Sequence, residues 1–330
     1  MSTGSTDRKI DKLIHLLVKN ATVVVPGPKI AAEIGVSNST VWVWMEKLRA
    51  LGVEIRGVRA AGYQLGTIPD ILVPSLVRAE VGDHEIGHNI VHYFRTVSTN
   101  DVAMELAARG AAQGTVVVAE EQTAGRGRLG REWYSEKSSG IYISVILRPP
   151  LAPSAAPVLT LMAGVAAHQA VSASTGLAVD IRWPNDLLVN GKKVCGILTE
   201  MNAELDRLHS VVLGIGLNVN HRQMPAQLQG SASSLRLEAR RTFSRVPLLA
   251  ALLRELDRYY QLLLKKGNTA ITERWAAASS WAFGKRVRVI TAEREKLATT
   301  AGIDSTGALR IRDDDGREES LVAGEVVEVK

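Results

Sequence analysis

The sequence RWPNDLLVNGKKVCGILTEM, residues 182–201, predicts a β-hairpin near the middle of the chain. Asn190 and Gly191 lie between two mostly apolar runs, residues 186–189 and 193–201, and an Asn-Gly pair supplies the positive φ angles of a type I′ turn. The sequence around it predicts further strands at residues 115–119, 141–147 and 211–219, and long helices at residues 155–175 and 246–266. Strands that alternate with helices in this way indicate a mixed α/β domain.

The first 66 residues predict a helix-turn-helix followed by a wing. Ser37 is the expected N-cap of the third helix and Gly52 its end, with helices predicted at residues 7–18, 29–35 and 38–51. Two short helices joined by a glycine-containing turn are typical of a helix-turn-helix. A hairpin wing with its turn at Gly57 is predicted from residues 53–56 and 62–65, and a linker with two prolines from residues 66–74.

The last fifty residues change character. Short strands are predicted at residues 286–290, 308–311 and 325–329, separated by glycine turns at Gly302, Gly307, Gly316 and Gly324. Short strands with frequent turns favour a small β-barrel. The chain therefore divides into three predicted domains, residues 1–67, 68–280 and 281–330.

Length and composition are typical of a protein that buries a core, with 330 residues, 46% of them hydrophobic and 22% charged. We expect no apolar run of the ~20 residues that a membrane-spanning helix needs, and no secretory signal at the polar N-terminus. The single cysteine, Cys195, excludes an internal disulfide framework and indicates a reducing compartment. The expected location is the cytoplasm, and we assign Cys195 no role beyond packing.

The positive charge is concentrated at the N-terminus. The formal net charge is +6, and residues 1–66 contain nine Lys and Arg against five Asp and Glu, an excess of +4. Because neutralisation of phosphates supplies most sequence-independent affinity for nucleic acids, a basic segment is compatible with such a partner. A solvated basic surface is the alternative.

A glycine-arginine segment is the first candidate for chemistry. Gly125-Arg126-Gly127-Arg128-Leu129-Gly130-Arg131 matches GxGxxG, but a dinucleotide site needs a helix that begins at the third glycine. Here the chain continues with Arg131-Glu132-Trp133-Tyr134-Ser135, which is no helix start. Three arginines on a glycine backbone suit a loop that closes over an anion, because guanidinium binds carboxylate or phosphate with two hydrogen bonds. An exposed basic loop is the alternative.

Three further segments each have a structural and a functional interpretation. Arg182-Trp183-Pro184-Asn185-Asp186 is either a structural turn or a nucleotide site with Asp186 available for Mg²⁺. The glycines of Gly214-Ile215-Gly216-Leu217-Asn218 either mark a bulge or allow close approach of a ligand or another backbone. Ser98-Thr99-Asn100 either caps a helix that follows or hydrogen-bonds a polar ligand head.

Together these motifs resemble those of a biotin protein ligase of the biotin operon repressor type. The resemblance rests on Ser98-Thr99-Asn100, residues 121–128, residues 183–186, Gly196-Ile197-Leu198-Thr199-Glu200 and residues 214–218, in the order and spacing of that family. Gly302-Ile303-Asp304 and Gly324-Glu325-Val326 also resemble its C-terminal domain. The resemblance implies a multi-domain α/β (α+β) fold. It would consist of a winged helix-turn-helix (1–67), a biotin/lipoate-ligase-like catalytic domain (68–280) and an SH3-like β-barrel (281–330).

The implied activity is that of an ATP-dependent ligase. The resemblance implies that biotin and ATP form biotinyl-5′-AMP and diphosphate, with Mg²⁺ as cofactor. The biotinyl group then passes to a lysine of the biotin carboxyl carrier protein of acetyl-CoA carboxylase or another carboxylase. The resemblance also implies a repressor that binds operator DNA as a homodimer when liganded, with no membrane partner.

The resemblance also implies roles for individual residues. Catalytic roles are implied for Arg126, Arg128, Arg182 and Lys193. Biotin contacts are implied for Ser98, Thr99, Asn100, Gln122, Gly125, Arg126, Gly127, Arg128, Arg182, Gly196, Gly214 and Gly216. ATP contacts are implied for Arg128, Arg131, Trp133, Asn185, Lys193 and Asn218, and a Mg²⁺ contact for Asp186. DNA contacts are implied for Ser37, Asn38, Ser39, Thr40, Trp42, Arg56 and Arg59.

The sequence departs from the family pattern at three positions. Arg182 stands where the family usually has a lysine, which keeps the charge but not the compact ammonium. Asn38 and Val43 stand where an arginine and a lysine are common, a loss of phosphate anchoring that Arg56, Arg59 and Lys47 could offset. Two alternatives remain open. One is a biotin-sensing repressor without ligase activity, and the other is a related lipoate or octanoate ligase, against which the complete glycine-arginine loop argues.

Overall fold

The computed structural model describes residues 3–50, 52–204, 207–291 and 294–329, with the side chains from residue 8 onward. Its N-terminal part contains α1 (Thr3–Lys19), α2 (Gly27–Ile34), α3 (Asn38–Ala50), β1 (Ile55–Val58) and β2 (Gly62–Leu65). The predicted helix-turn-helix and wing are confirmed, although Leu51, the predicted last residue of the third helix, lies outside the described residues. The predicted turn at Gly57 is wrong. Gly57 pairs with Tyr63 within the hairpin, and the positive φ that reverses the chain belongs to Ala60.

The middle of the chain folds into one mixed sheet covered by helices. Its helices are α4 (Pro74–Val81), α5 (Thr99–Ala108), α6 (Ala156–Thr175), α7 (Leu235–Ala239), α8 (Arg245–Lys266) and α9 (Asn268–Ala277). Its strands are β3 (Ile90–Tyr93), β4 (Val116–Ala119), β5 (Gly140–Leu147), β6 (Val179–Arg182), β7 (Asp186–Val189), β8 (Lys192–Ala203) and β9 (Leu208–Asn218). The order is β3-β4-β5-β9-β8-β7-β6, with β3 and β4 parallel and the other neighbours antiparallel.

Both faces of this sheet are buried, but unequally. The larger core packs α6 and α8 against one face, including Val116 and Val118 of β4. On the other face α5 packs on Val117, Ile146 and Val212. Successive side chains of a strand point to opposite faces, and both faces are covered at β4. Every residue of β4 is therefore buried. The face that α5 covers only in part leaves room for a cavity.

The predicted central hairpin is confirmed. β7 and β8 are antiparallel, with Val189 paired to Lys192 across the turn. Asn190 and Gly191 have φ angles of 49° and 74°, as a type I′ turn requires. Asp186 at the start of β7 pairs with Arg182 of β6, and its carboxylate contacts Lys193 of β8.

The C-terminal residues form a second, antiparallel sheet in the order β13-β12-β11-β10-β14. Its strands are β10 (Phe283–Ile290), β11 (Glu295–Ile303), β12 (Leu309–Arg312), β13 (Glu318–Leu321) and β14 (Glu325–Glu328). The sheet contributes Val287, Leu309 and Ile311 to the same core as α6 and α8. Trp183 Nε1 also donates to Gly307 O at 3.2 Å, so this sheet packs directly against the segment that precedes β7.

One helix does not fit the expectation about membrane spans. By length and composition alone, residues 153–175 would be long and apolar enough to cross a bilayer. Two thirds of that apolar window, however, is buried inside the protein. Its apolarity is explained by this burial, because a helix in the core needs only a small polar face.

Candidate active site

A cavity of about 290 Å³ lies on the face of the sheet that α5 covers in part. Its walls come from β8, β9, the start of α5, the glycine-arginine loop and the C-terminal sheet. Of the residues predicted to contact biotin, ATP or metal, all but Gly125 line it: Ser98, Thr99, Asn100, Gln122, Arg126, Gly127, Arg128, Arg131, Trp133, Arg182, Asn185, Asp186, Lys193, Gly196, Gly214, Gly216 and Asn218. The fold thus brings together residues that are as much as 120 positions apart in the sequence.

Neutral polar side chains form one end of the cavity. Gln122 Oε1 accepts hydrogen bonds from Thr99 N at 2.8 Å and from Thr99 Oγ1 at 3.1 Å. Ser144 Oγ lies 2.8 Å from Thr99 Oγ1 and 2.5 Å from Asn100 Oδ1. Ser98 occupies the N-cap position of α5, but its side chain makes no capping hydrogen bond, so the capping interpretation of Ser98 is only half right. Hydrogen bonds between side chains therefore orient this end for a polar ligand head.

The glycines of β8 and β9 make space for two side chains. A Cβ atom on Gly214 would lie 2.2 Å from Asn100 Oδ1, and one on Gly216 would lie 2.4 Å from the Trp133 indole. A Cβ atom on Gly196 would likewise lie 2.8 Å from the Trp133 indole. The predicted close approach is present, and the groups that approach are an amide and an indole of the cavity wall. A larger residue in either strand would displace them.

Cations gather at the other end. Lys193 Nζ lies 2.5 Å from Asp186 Oδ1, and Arg182 Nη2 donates to Asp186 Oδ2 at 2.7 Å. Arg131 Nη1 lies 2.6 Å from Glu325 Oε1. Arg128 Nη1 donates to Asn185 Oδ1 at 3.4 Å and to Gly324 O at 3.3 Å.

The cavity lining as a whole contains five cations and three carboxylates, an excess of two positive charges: Arg126, Arg128, Arg131, Arg182 and Lys193 against Glu132, Asp186 and Glu325. Burial lowers the pKa of the Arg128 guanidinium, and Glu325 and Asp186 oppose that shift. Arginine stays charged in proteins because its unperturbed pKa is so high. The cavity can therefore accept a multiply charged anion at this end.

Asp186, the predicted magnesium ligand, lies between two cations. Its two carboxylate oxygens each lie next to a cation, Lys193 and Arg182. Among the residues that the structure describes, no group of three or more His, Cys, Asp or Glu side chains could hold a metal ion. A metal at Asp186 would have to displace two ion pairs. The role of Asp186 as a magnesium ligand therefore stays a prediction.

The side chain of Asn218 has one polar atom that is hydrogen-bonded within the protein and one that is not. Asn218 Nδ2 donates to Ser233 O at 3.0 Å, while its buried Oδ1 has no hydrogen-bond partner among the described residues. An unpaired buried acceptor is costly, so this oxygen is suited to a donor on a ligand.

Burial raises the pKa of the Cys195 thiol to about 12, which agrees with a packing role because an unreactive thiol stays protonated.

Part of the cavity wall was not predicted. Met224, Leu228, Ser231 and Ala232, from the segment after β9, line it, and so does Glu325 of β14. Two backbone hydrogen bonds, both 2.9 Å long, tie this segment to Lys193 of β8. Lys193 N donates to Ser231 O, and Ser233 N donates to Lys193 O. No periodicity marks these residues in the sequence. Only Glu325 had a signal in the sequence, because it belongs to the motif Gly324-Glu325-Val326.

The predicted DNA-contacting residues lie at the start of α3 and on the wing. Ser37, Asn38, Ser39 and Trp42 are exposed at the start of α3, and Thr40 is half-buried. Arg56 and Arg59 are exposed on the wing. Thr40 N donates to Ser37 Oγ at 3.1 Å, which confirms the predicted N-cap.

Lys47 is exposed and also contacts an aromatic ring of the central part of the protein. Its ammonium lies 5.1 Å from the centre of the Phe94 ring, which follows β3 of the central sheet. That distance is within the range of a cation–π contact. Lys47 therefore joins α3 to the rest of the protein, and its contact with a DNA phosphate stays a prediction.

Comparison with known proteins gives consistent matches along the chain. Family profiles match residues 9–64 (HTH domain), 93–218 (Biotin/lipoate A/B protein ligase family) and 282–327 (Biotin protein ligase C terminal domain). The chain is 38% identical to the bifunctional ligase/repressor BirA of Bacillus spizizenii over 94% of this chain and 96% of that protein. It is 27% identical to BirA of Escherichia coli, over 87% and 88%. The solved biotin protein ligase of Aquifex aeolicus in complex with biotin and ATP superposes with a TM-score of 0.64, at 25% identity, over 74% of this chain and 99% of that one.

Proposed function

The chain belongs to the biotin protein ligase family, in the bifunctional ligase/repressor type, and from that membership we propose that it attaches biotin to a carrier protein and represses transcription. Both functions are supported by bifunctional ligase/repressor relatives that align with this chain over most of their length. The use of ATP is supported by the related ligase that binds biotin and ATP. We further propose that the acceptor is the biotin carboxyl carrier protein of a biotin-dependent carboxylase.

The proposed reaction has two steps. A carboxylate oxygen of biotin bonds to the α-phosphorus of ATP while the bond to diphosphate breaks, which gives biotinyl-5′-AMP. A lysine ε-amine of the carrier protein then bonds to the biotinyl carbonyl carbon, AMP leaves, and the amine loses a proton. Both steps gather negative charge at one phosphate, so positioning and cationic stabilisation should dominate catalysis.

The cation cluster of Arg128, Arg131, Arg182 and Lys193 is the observation that carries this proposal. These side chains come from the glycine-arginine loop, β6 and β8, and converge on one end of one cavity. The excess of two positive charges in the cavity lining suits a triphosphate and the adenylate that forms from it. Asp186 and Glu325 hold three of the four in place before substrate arrives, so little reorganisation remains at the moment of reaction.

We propose that biotin occupies the opposite, neutral end. Ser98, Thr99, Asn100 and Gln122 would surround its ureido ring, whose N–H and C=O groups need partners once they are buried. Trp133 would offer its indole plane to the adenylate, and Asn218 Oδ1 would accept a hydrogen bond from it. The loop would close over the anhydride and keep water out.

A ligase assay tests the enzymatic part. The purified full chain is incubated with ATP, labelled biotin and a biotin carboxyl carrier domain, and the expected products are biotinyl-5′-AMP and a labelled carrier. The absence of both products would overturn the ligase proposal and leave a biotin-sensing repressor. The assay repeated with lipoate and octanoate tests the remaining alternative, and labelling with either acid but not with biotin would establish it.

We propose that the surface at the start of α3 and the wing bind operator DNA. Ser, Asn and Thr side chains can hydrogen-bond base edges and phosphates, and Arg56 and Arg59 supply the phosphate contacts. A homodimer is the proposed DNA-binding form, since a helix-turn-helix reader of paired half-sites binds as a dimer.

A gel-shift assay with the DNA upstream of the chain's own gene tests repression, with and without biotin plus ATP. Tighter binding with both ligands is expected. Substituting Arg56→Ala and Arg59→Ala should weaken binding to all sequences and reduce its salt dependence. Equal affinity with and without the ligands would overturn the coupled switch.

A further inference from the structure

Glu200 has no assigned role, yet it bridges two elements of the cavity wall. Its carboxylate accepts a hydrogen bond from Asn100 Nδ2 at 2.7 Å. It also accepts from Arg126 Nη2, at 3.0 Å to Oε1 and 2.9 Å to Oε2. Asn100 lies at the start of α5 and Arg126 in the glycine-arginine loop. A single carboxylate on the sheet therefore connects both to β8.

Asn100 is held in one orientation by these contacts. Its Nδ2 donates to Glu200 Oε2, its Oδ1 lies 2.5 Å from Ser144 Oγ, and the bare backbone of Gly214 lies beneath the amide. The carboxylate of Glu200 can only accept, so it requires an N–H group of Asn100 on its side. Without the negative charge of Glu200, the Asn100 amide could rotate so that Nδ2 and Oδ1 exchange positions.

Arg126 is held differently from the other cations of the loop. Its Nη2 lies 2.6 Å from Asp101 Oδ1 and 2.9 Å from Glu200 Oε2, so two carboxylates face one guanidinium. Asp101 is half-exposed at 49%, whereas Glu200 is 29% exposed and lies on β8, where it pairs with Val212 of β9. Solvent screening weakens the Asp101 contact more, so Glu200 is the stronger anchor of this arginine.

The loop itself has few other ties to the sheet. Gly127 N donates to Arg131 O and Trp133 N donates to Gly125 O, which are bonds within the loop and its return. Its remaining side-chain contacts lead to Asn185 and the C-terminal sheet. Arg126 thus supplies the connection between the first half of the loop and β8.

We propose that Glu200 is a positioning residue for the adenylation reaction, which holds the glycine-arginine loop over the cavity through Arg126 and fixes the orientation of Asn100. The inference rests on the proposed function. Glu200 touches no reacting atom in this proposal and acts through the two residues that it binds. Its loss should open the loop in the free protein and let the bound adenylate escape.

Glu200→Gln tests the proposal, because glutamine keeps the shape but loses the charge and one acceptor. The first measurement is trypsin cleavage after the loop arginines in the ligand-free protein. We expect cleavage about tenfold faster than in the wild type, the effect of losing one hydrogen bond to a charged group. The matched control is Asp101→Asn, which touches the same guanidinium from a more exposed site and should change the rate by less than about threefold.

The second measurement is the rate of biotinyl-5′-AMP release, compared among the wild type, Glu200→Gln, Arg126→Gln and the double variant. If Glu200 holds the loop through Arg126, Glu200→Gln should accelerate release about tenfold in the wild type and have little further effect once Arg126 is replaced. Unchanged trypsin cleavage in Glu200→Gln, or rate effects that multiply in the double variant, would overturn the proposal. A thermal unfolding midpoint close to that of the wild type excludes general misfolding.

Failure of the proposed function is distinguishable from failure of this inference. A wild-type protein that makes no adenylate refutes ligation, while the trypsin comparison still tests the loop. A wild-type protein that makes adenylate while Glu200→Gln behaves identically refutes the positioning role alone.

Discussion

Arg245 Nη1 lies 2.8 Å from Glu120 Oε2, and both side chains are only 1% exposed. Arg245 also donates to Gly140 O at 3.0 Å and, through Nε, to Asp70 Oδ2 at 3.1 Å. The backbone N–H of Leu72 donates to Glu120 Oε1 at 2.7 Å. This buried pair therefore anchors the segment between the winged helix and the central sheet. Glu120 directly follows β4, two positions before Gln122 of the cavity wall.

Breaking this pair should destabilise the whole protein. Arg245→Met leaves the Glu120 carboxylate buried without its cation, and removal of one partner of a buried ion pair costs about 3–5 kcal/mol. The free energy of unfolding in urea measures the loss. Arg258→Met on the same helix is the matched control, since its partner Glu255 is partly exposed and the expected cost is below about 1 kcal/mol. Equal losses in the two variants would contradict the prediction.

Acid should destabilise the protein through Glu120. Burial alone would raise the pKa of Glu120, but Arg245, His92 and the Leu72 N–H lower it from 4.5 to about 2. The carboxylate therefore binds protons more weakly in the folded state. Its contribution is complete above pH 4.5 and is lost as the pH falls from 4.5 towards 2, for a total of about 3 kcal/mol.

The difference between the wild type and Glu120→Gln isolates that contribution, because glutamine does not titrate. Unfolding free energies measured from pH 6 to pH 3 should converge for the two proteins as the pH falls. Parallel curves over this range would contradict the pKa assigned to Glu120.

Gly216→Ala should impair nucleotide binding by displacing Trp133. The new Cβ would lie 2.4 Å from the indole, so the ring has to leave its position against β9. We expect the KM for ATP to rise about threefold to tenfold, the range of a lost aromatic contact. Gly164→Ala in α6 is the control, since its Cβ would lie 3.7 Å from the nearest atom. An unchanged KM in both variants would place Trp133 outside the nucleotide site.

Lys193→Gln should slow adenylation. Lys193 lines the cavity beside Asp186, and the loss of one charge-stabilising donor typically lowers kcat about a hundredfold or more. The neighbouring Lys192→Gln is a matched control, because Lys192 is partly exposed and pairs with Glu238 on the other side of the strand. Single-turnover formation of biotinyl-5′-AMP gives the rate, and equal rates in the two variants would remove Lys193 from the mechanism.

Local patterns in the sequence predicted much of the secondary structure and many of the residues that line the cavity. The type I′ turn follows from Asn190 and Gly191 alone, because positive φ angles are a preference of those two residues. The N-cap at Ser37 likewise depends on a hydrogen bond to a residue three positions later. The wing turn was misplaced by a few residues, since Gly57 tolerates a strand as well as a turn.

Tertiary structure alone decided which charges meet. Arg126 and Glu200 are 74 positions apart, Arg245 and Glu120 are 125 apart, and Arg131 and Glu325 are 194 apart. A charged side chain has no sequence period that identifies its partner, and the strength of each pair depends on burial that only packing creates. The sequence therefore identified the cations of the cavity, and the fold determined which carboxylates hold them in place.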